Sequence, residues 1–180
     1  MIIWLFCTQK KSNFEGTIID IETIGNFCGY GDSRRYKEIV PVIFGFINKN
    51  GLTVYCAKNS TSISNLKDII ERILSELKRP FYAFNSDFER GTLFHHLRKP
   101  VSFERELNKE RFEGKRHVVQ LLKIQNYNDP FNDNGRACME AWLNGEINKS
   151  ILHNRSCLLK ERDILLRRGF RKPDELGLVK

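Results

Sequence analysis

The segment TIIDIET, residues 17–23, is an apolar, β-branched run that carries two carboxylates, Asp20 and Glu22. Side chains alternate between the two faces of a strand, so both carboxylates point to the same face. Burying them unpaired is costly, because desolvation and mutual repulsion both oppose ionisation. Either a divalent cation lies between them, or this face of the strand is wet and both side chains are solvated. The segment alone leaves both readings open.

Length and composition indicate one globular domain with a basic surface. The 180 residues suffice for a single well-packed core, and 41% hydrophobic with 29% charged residues is typical of a soluble protein. The formal net charge of +8 indicates a polyanionic partner, most often nucleic acid. A generically basic surface is the alternative.

The cysteines and the N-terminus predict a cytoplasmic protein with no membrane partner. Five cysteines without a CxxC pair indicate reduced, partly buried thiols rather than a zinc site. Residues 1–7 are apolar but too short to span a membrane, and they lack the basic region of a secretory signal. We expect residues 1–16 to form an edge strand or a docked arm.

Hydrophobic patterning predicts an α/β domain. Three strands are expected to be antiparallel neighbours, with a hairpin turn at Asn50-Gly51 between the second and third: residues 17–22, 38–47 and 52–57. A helix over 64–78 and a strand over 81–84 imply a crossover to a parallel strand. Further helices are expected over 88–97, near 118–122, over 137–143 and over 149–168, and the segment 102–115 is helix or loop.

Two later segments carry further acids. Asp87 and Glu89 lie where a strand ends and a helix begins, which is where ligands bind in open α/β sheets. The helix dipole also favours acids in a first turn without any function, and Asn85 could simply cap this helix. In the last helix, Glu161 falls on an inward stripe with Asn154, Leu158 and Leu165, whereas Asp163 falls on a more exposed side.

These three segments together resemble the motifs of the DEDD-type 3′–5′ exonucleases of the ribonuclease H-like fold. Asp20-Ile21-Glu22 matches the Asp-x-Glu strand of the first motif, and Asn85 to Glu89 matches the second, with Glu89 where Asp is usual. His153-Asn154-Arg155 begins like the third.

The third motif then departs from the pattern. The last acid of many relatives would fall near Cys157 or Leu158, and Glu161, one helical turn further on, is the expected substitute. Asp163 is the fallback for this position, as Asp87 is the alternative to Glu89.

The resemblance implies a ribonuclease H-like mixed sheet of three antiparallel strands followed by parallel strands, with helices on its faces. This domain core covers about residues 17–168 and is followed by a basic tail, residues 169–180. It further implies two Mg²⁺ or Mn²⁺ ions about 4 Å apart. The implied metal ligands are four carboxylates: Asp20, Glu22, Glu89 and Glu161. The implied substrate contacts are Thr23, Asn85, Arg155 and Lys160, although Lys160 could instead pair with a carboxylate.

The expected activity is metal-dependent 3′–5′ hydrolysis of DNA or RNA, with a single-stranded end as the favoured substrate. His153 is the expected general base, although a histidine that caps backbone groups at the start of the helix is an equal alternative. The other function considered is a catalytically inactive relative that binds nucleic acid or protein. The loop 25–37, directly after the Asp20–Glu22 pair, is placed to contact substrate.

Overall fold

The computed structural model describes residues 2–7, 13–111 and 113–180. The strands are β1 (Ile2–Cys7), β2 (Thr17–Ile24), β3 (Val40–Asn48), β4 (Gly51–Ala57), β5 (Phe81–Ala83) and β6 (Arg105–Glu106). The helices are α1 (Ile63–Glu76), α2 (Ser86–Leu97), α3 (Lys115–Leu121), α4 (Gly135–Leu143) and α5 (Ile147–Arg168).

One mixed sheet organises the chain, in the strand order β1-β4-β3-β2-β5-β6. The strands β1, β4, β3 and β2 each run antiparallel to the neighbouring strand of this group. The strands β2, β5 and β6 run parallel to one another. Helices pack against this sheet: α5 across β2, β3 and β4, and α1 across β3 and β4. The predicted α/β class, with antiparallel strands followed by parallel ones, is confirmed. Residues 8–12 of the expected N-terminal arm lie outside the described residues, and Ile2–Cys7 forms an edge strand.

Local sequence explains most of these elements. The helix α1 buries Leu66, Ile70 and Ile73 on one face, as its spacing predicts. The β3–β4 hairpin turns at Lys49-Asn50, and Gly51 takes a φ of +134°, a value that other residues rarely adopt. The strand β6 was not predicted. It has only two residues, in a charged segment, which is too short to show the alternation of apolar and polar residues typical of a strand. Its pairing with β5 is what makes it a strand.

An irregularity in the sheet lies beside the opening carboxylates. Glu22 pairs with Ile43, but Thr23 pairs with Pro41, so the register shifts between Glu22 and Thr23. Proline has no N–H to donate to a ladder and is tolerated at such bulges. The residue skipped by this pairing is Val42 of β3, and the irregularity lies just before β2 leads into the loop 25–37.

Gly45 allows α5 to approach the centre of the sheet. It lies directly opposite Asp20 in the β2–β3 register. A Cβ atom on Gly45 would overlap Asn154 Oδ1 and lie 2.8 Å from Leu158 Cδ1, both on α5. The missing side chain therefore sets how closely α5 packs on Asp20.

The described part of the chain, residues 2–7, 13–111 and 113–180, contains no helix with both the length and the apolar character needed to cross a bilayer. The cysteines whose side chains are described have free thiols: Cys28, Cys56, Cys138 and Cys157. This agrees with the reduced state predicted from their spacing.

We predict that Gly45→Ala lowers the free energy of unfolding by about 1–3 kcal/mol, because the new methyl group forces α5 away from the sheet. Urea denaturation followed by circular dichroism measures this. Gly29→Ala is the matched control, since a Cβ atom there meets no atom within 4 Å. Equal unfolding midpoints for the two variants would contradict the role assigned to Gly45.

Candidate active site

A cavity of about 560 Å³ opens over β2 and the junction between β5 and α2. Its lining combines carboxylates, polar groups and aromatic rings. The sequence-predicted site residues that line it are Asp20, Glu22, Thr23, Asn85, Glu89 and His153. The structure therefore brings together residues that lie up to 133 positions apart in the chain, although Glu161, Arg155 and Lys160 are not part of this lining.

Asp20 is bonded from two sides. Lys115 Nζ lies 3.1 Å from its Oδ1, and Asn154 Nδ2 donates to its Oδ2 at 2.7 Å. The side chain is 8% exposed, so these contacts replace most of its water. Hydrogen bonds and an opposite charge offset part of the cost of burying a carboxylate.

Glu22 lies beside Asp20 without an equivalent partner. Burial raises its pKa to about 7, and the negative charge of Asp20 acts in the same direction, whereas His153 and Lys115 oppose the rise. His153 Nε2 is 3.7 Å from Glu22 Oε1, which is beyond a good hydrogen bond. Glu22 therefore lacks the positive charge that would fully stabilise its ionised form.

Glu89, rather than Asp87, faces the cavity. Its side chain is buried in the first turn of α2, and its Oε2 atom has no hydrogen-bond partner. Burial, followed by the charges of Asp20 and Glu161, raises its pKa well above the usual range. Asp87 is outside the cavity lining and lies 3.7 Å from both Arg90 and Arg111. Its presence in the first turn of α2 is therefore explained by these ion pairs and by the helix dipole, without a role in the cavity.

Glu161 is fully buried, lies outside the cavity lining and interacts with both Lys115 and Asp20. Its Oε1 lies 2.5 Å from Lys115 Nζ, and its Oε2 has no hydrogen-bond partner. Burial raises its pKa well above the usual range, although the Lys115 charge opposes this. The predicted inward stripe of α5 is confirmed. Asp163 is half-buried and bonds to Tyr127 and Arg162, so its expected exposure was wrong.

His153 is held by a buried acid. It lies in the second turn of α5, and its Nδ1 is 2.7 Å from Asp129 Oδ1. Burial lowers its pKa, but the charges of Glu22 and Asp129 outweigh this and raise the pKa overall. The alternative of a histidine that caps backbone groups at the helix start was wrong, because His153 lies inside α5 and its ring bonds the side-chain carboxylate of Asp129. The other ring nitrogen, Nε2, faces Glu22 and the cavity.

Lys160 has a structural role. Its ammonium is fully buried and bonds to Asp129 at 2.7 Å and to Asp133 at 2.8 Å. Both partners lie in the loop before α4, so the alternative of a carboxylate pair is confirmed for Lys160 and the predicted phosphate contact is corrected to an internal ion pair. Arg155 is half-buried on α5 and lies outside the cavity lining.

Cys157, His153 and Asp129 lie in a row that superficially suits a cysteine nucleophile. The Sγ atom is 3.7 Å from His153 Nε2, whose ring is fixed by Asp129. However, burial raises the pKa of Cys157 well above the usual range, and Asp20 and Glu22 add to the rise against the opposing charge of Lys115. A nucleophilic cysteine needs the opposite surroundings, so we assign Cys157 no such role.

The donor set fits a divalent cation. One oxygen each from Asp20 and Glu22 and the Cys157 sulfur lie within 4.8 Å of one another. Glu89 lines the same cavity and has a buried oxygen without a hydrogen-bond partner, but it is not part of this close group. Carboxylate oxygens suit Mg²⁺ and Mn²⁺, whereas a sulfur contact is tolerated by Mn²⁺ better than by Mg²⁺.

The cavity rim is aromatic and basic. Phe27, on the loop 25–37, is 56% exposed and lines the cavity together with Phe88. The Arg35 guanidinium lies 5.0 Å from the Phe27 ring centroid, and Arg136 also lines the cavity. The start of the loop 25–37 therefore lines the cavity, and its contact with a substrate stays a prediction.

Most basic side chains of α5 and the segment after it are engaged inside the protein. Arg168 pairs with Glu113 at 2.8 Å, and Arg171 pairs with both Glu106 and Asp174. The segment 169–180 therefore folds back against the domain, and the predicted basic tail offers less free positive charge than its composition suggests.

Comparison with known proteins identifies no relative: no protein-family model, no curated protein and no solved structure matches the chain. The sequence did not predict three of the contacts at this site. These are the contacts of Lys115 and Asn154 with Asp20 and the contact of Asp129 with His153. Lys115 begins a short helix after an irregular charged segment, and no sequence pattern there indicated a role.

We predict that Glu22 makes the metal-free protein less stable as the pH rises. Its folded-state pKa of about 7 exceeds the ordinary 4.5, so its contribution is fully present below about pH 4.5 and is lost toward pH 7. In EDTA, the unfolding free energy of the wild type should fall by on the order of 3 kcal/mol relative to Glu22→Gln across this range.

Urea denaturation at several pH values measures this difference. Glu76→Gln, which removes an exposed carboxylate from α1, is the matched control and should follow the wild type. If the wild-type and Glu22→Gln curves run parallel with pH, the environment assigned to Glu22 is wrong.

Proposed function

We propose that this protein is a divalent-metal-dependent nuclease, acting as a 3′–5′ exonuclease on single-stranded ends of DNA or RNA. The observation that carries the proposal is the meeting of Asp20, Glu22 and Glu89 on one cavity wall. The strand order also supports it, because antiparallel β4-β3-β2 followed by parallel β5 and β6 is the arrangement expected of a ribonuclease H-like domain.

Asp20, Glu22 and Glu89 would hold the metal. A bound Mg²⁺ or Mn²⁺ ion would supply a water of lowered pKa and a positive charge for the phosphodiester. His153 would accept the proton of the attacking water at Nε2, because Asp129 bonds its Nδ1 atom and fixes the ring. Metal binding would also compensate the carboxylate charges that raise the pKa of His153.

The rim is suited to an unpaired nucleotide. Phe27 and Phe88 present ring faces and edges at the mouth of the cavity, and stacking of a base on an aromatic ring contributes about 1–3 kcal/mol. Arg35 and Arg136 can meet phosphates without reading sequence. Thr23 and Asn85 add polar groups between this rim and the carboxylates.

We predict that the wild type degrades single-stranded oligonucleotides with Mn²⁺ and not with EDTA. A 5′ label should yield a ladder, whereas a 3′ label should be released at once as a mononucleotide. Asp20→Asn should reduce the rate by about 100-fold or more, because it removes a charged metal ligand. Asp68→Asn, which alters an exposed acid on α1, should leave the rate unchanged. A folded wild type that degrades neither DNA nor RNA would refute the proposal.

A second candidate is a non-catalytic module that binds nucleic acid. It is favoured by Lys115, whose ammonium already pairs two of the four predicted carboxylates. In this case a labelled single strand would bind equally well with EDTA and with Mn²⁺, Asp20→Asn would bind like the wild type, and no degradation would occur. Fluorescence anisotropy with a single-stranded oligonucleotide separates the two candidates.

A further inference from the structure

We propose that Lys115 is a resident cation at the place where a second divalent ion is implied, so that the chain binds one divalent ion rather than two. This inference rests on the proposed function, since it concerns the metal site of that nuclease. It is drawn from the contacts of one ammonium group and from the position of Glu161.

Lys115 Nζ occupies the space between two carboxylates that a bridging ion would need. It lies 3.1 Å from Asp20 Oδ1 and 2.5 Å from Glu161 Oε1. Divalent ions contact carboxylate oxygens at about 2.0–2.6 Å, so an ion that bridged the same two atoms would overlap the ammonium. The Phe84 ring, whose centroid is 5.7 Å away, adds a favourable contact for a cation.

Glu161 is not accessible to an ion from the cavity. Its side chain has no exposed surface, and it does not line the cavity, whereas Lys115 does. An ion that enters from solvent would therefore meet Lys115 before it reached Glu161. Displacing Lys115 would also bury an ammonium without its partners or force it into solvent, at a cost of several kcal/mol.

The remaining donors suit one ion. The Asp20, Glu22 and Cys157 donor atoms lie within 4.8 Å of one another, and Glu89 Oε2 is free of hydrogen bonds. Of the four predicted carboxylates, Lys115 pairs directly with Asp20 and Glu161. Glu22 and Glu89, which line the cavity and make no lysine pair among the described residues, are left for one ion.

Titration of the purified full-length chain with Mn²⁺ tests the proposal, by calorimetry for stoichiometry and by electron paramagnetic resonance for the environment. We expect one Mn²⁺ per chain and the six-line signal of an isolated ion. Two Mn²⁺ per wild-type chain, with the exchange-coupled signal of ions about 4 Å apart, would overturn the proposal. A wild type that binds no Mn²⁺ would also overturn it.

Two variants test whether Lys115 sets the number of bound Mn²⁺ ions. Lys115→Met should raise the stoichiometry to two, because it removes the ammonium from between Asp20 and Glu161. Since that variant leaves Glu161 buried without its cation, Lys115→Met/Glu161→Gln, which also removes the unpaired carboxylate, is the comparison and should bind one Mn²⁺. If the wild type bound two and this double variant one, Glu161 would be a metal ligand and the proposal would be wrong. Lys58→Met, which alters an exposed lysine outside the cavity lining, should match the wild type.

The activity assay separates this inference from the function on which it rests. One bound Mn²⁺ without degradation of any oligonucleotide supports the role of Lys115 and refutes the nuclease. Degradation with two bound Mn²⁺ ions supports the nuclease and refutes the role of Lys115.

Discussion

The carboxylate of Asp20 joins three elements of the fold. Asp20 is part of β2, Lys115 contacts it from the start of α3, and Asn154 contacts it from α5. A buried carboxylate that lost such a partner would be left as an uncompensated charge, which costs about 3–5 kcal/mol. The position of α3 and the approach of α5 are therefore linked to the chemistry of one side chain, and Gly45 gives α5 the room to make its contact.

A second buried network fixes the surroundings of this carboxylate. Asp129 accepts from Lys160 and contacts His153, while Asp133 accepts from the same ammonium. One lysine thus holds the loop before α4 against α5 and orients the histidine that faces Glu22. Two lysines have parallel roles: Lys160 neutralises the acids behind His153, and Lys115 neutralises those beside Asp20. Among the described residues, Glu22 and Glu89 make no comparable lysine pair, and burial raises the pKa of both.

The sequence predicted the parts of this arrangement that follow from local periodicity. Alternation along β2 placed Asp20 and Glu22 on one face, and helical spacing placed Glu161 on the inward face of α5. It did not reveal what those faces meet. Glu161 was expected to bind metal because it lies on the inward stripe and substitutes for the last acid of the third motif, but the cation it meets is Lys115, which comes from a short helix 46 positions earlier. Likewise, Lys160 belonged by composition to a basic surface, and only the tertiary position of Asp129 and Asp133 makes it internal.

An ammonium and a divalent ion differ in ways that matter for such a site. Lys115 is tethered to α3, so its charge is present at any metal concentration, and the fold does not need metal to compensate Asp20 and Glu161. An ammonium can stabilise negative charge through its three donors, but it cannot act as a Lewis acid toward a bound water. In the proposed nuclease, water activation would then depend on the side of the cluster where Asp20, Glu22 and Glu89 face the cavity, and His153 Nε2 is directed to that same side. Under that proposal, the acids paired by lysine provide charge balance on one side of Asp20, and the acids open to the cavity provide the chemistry on the other.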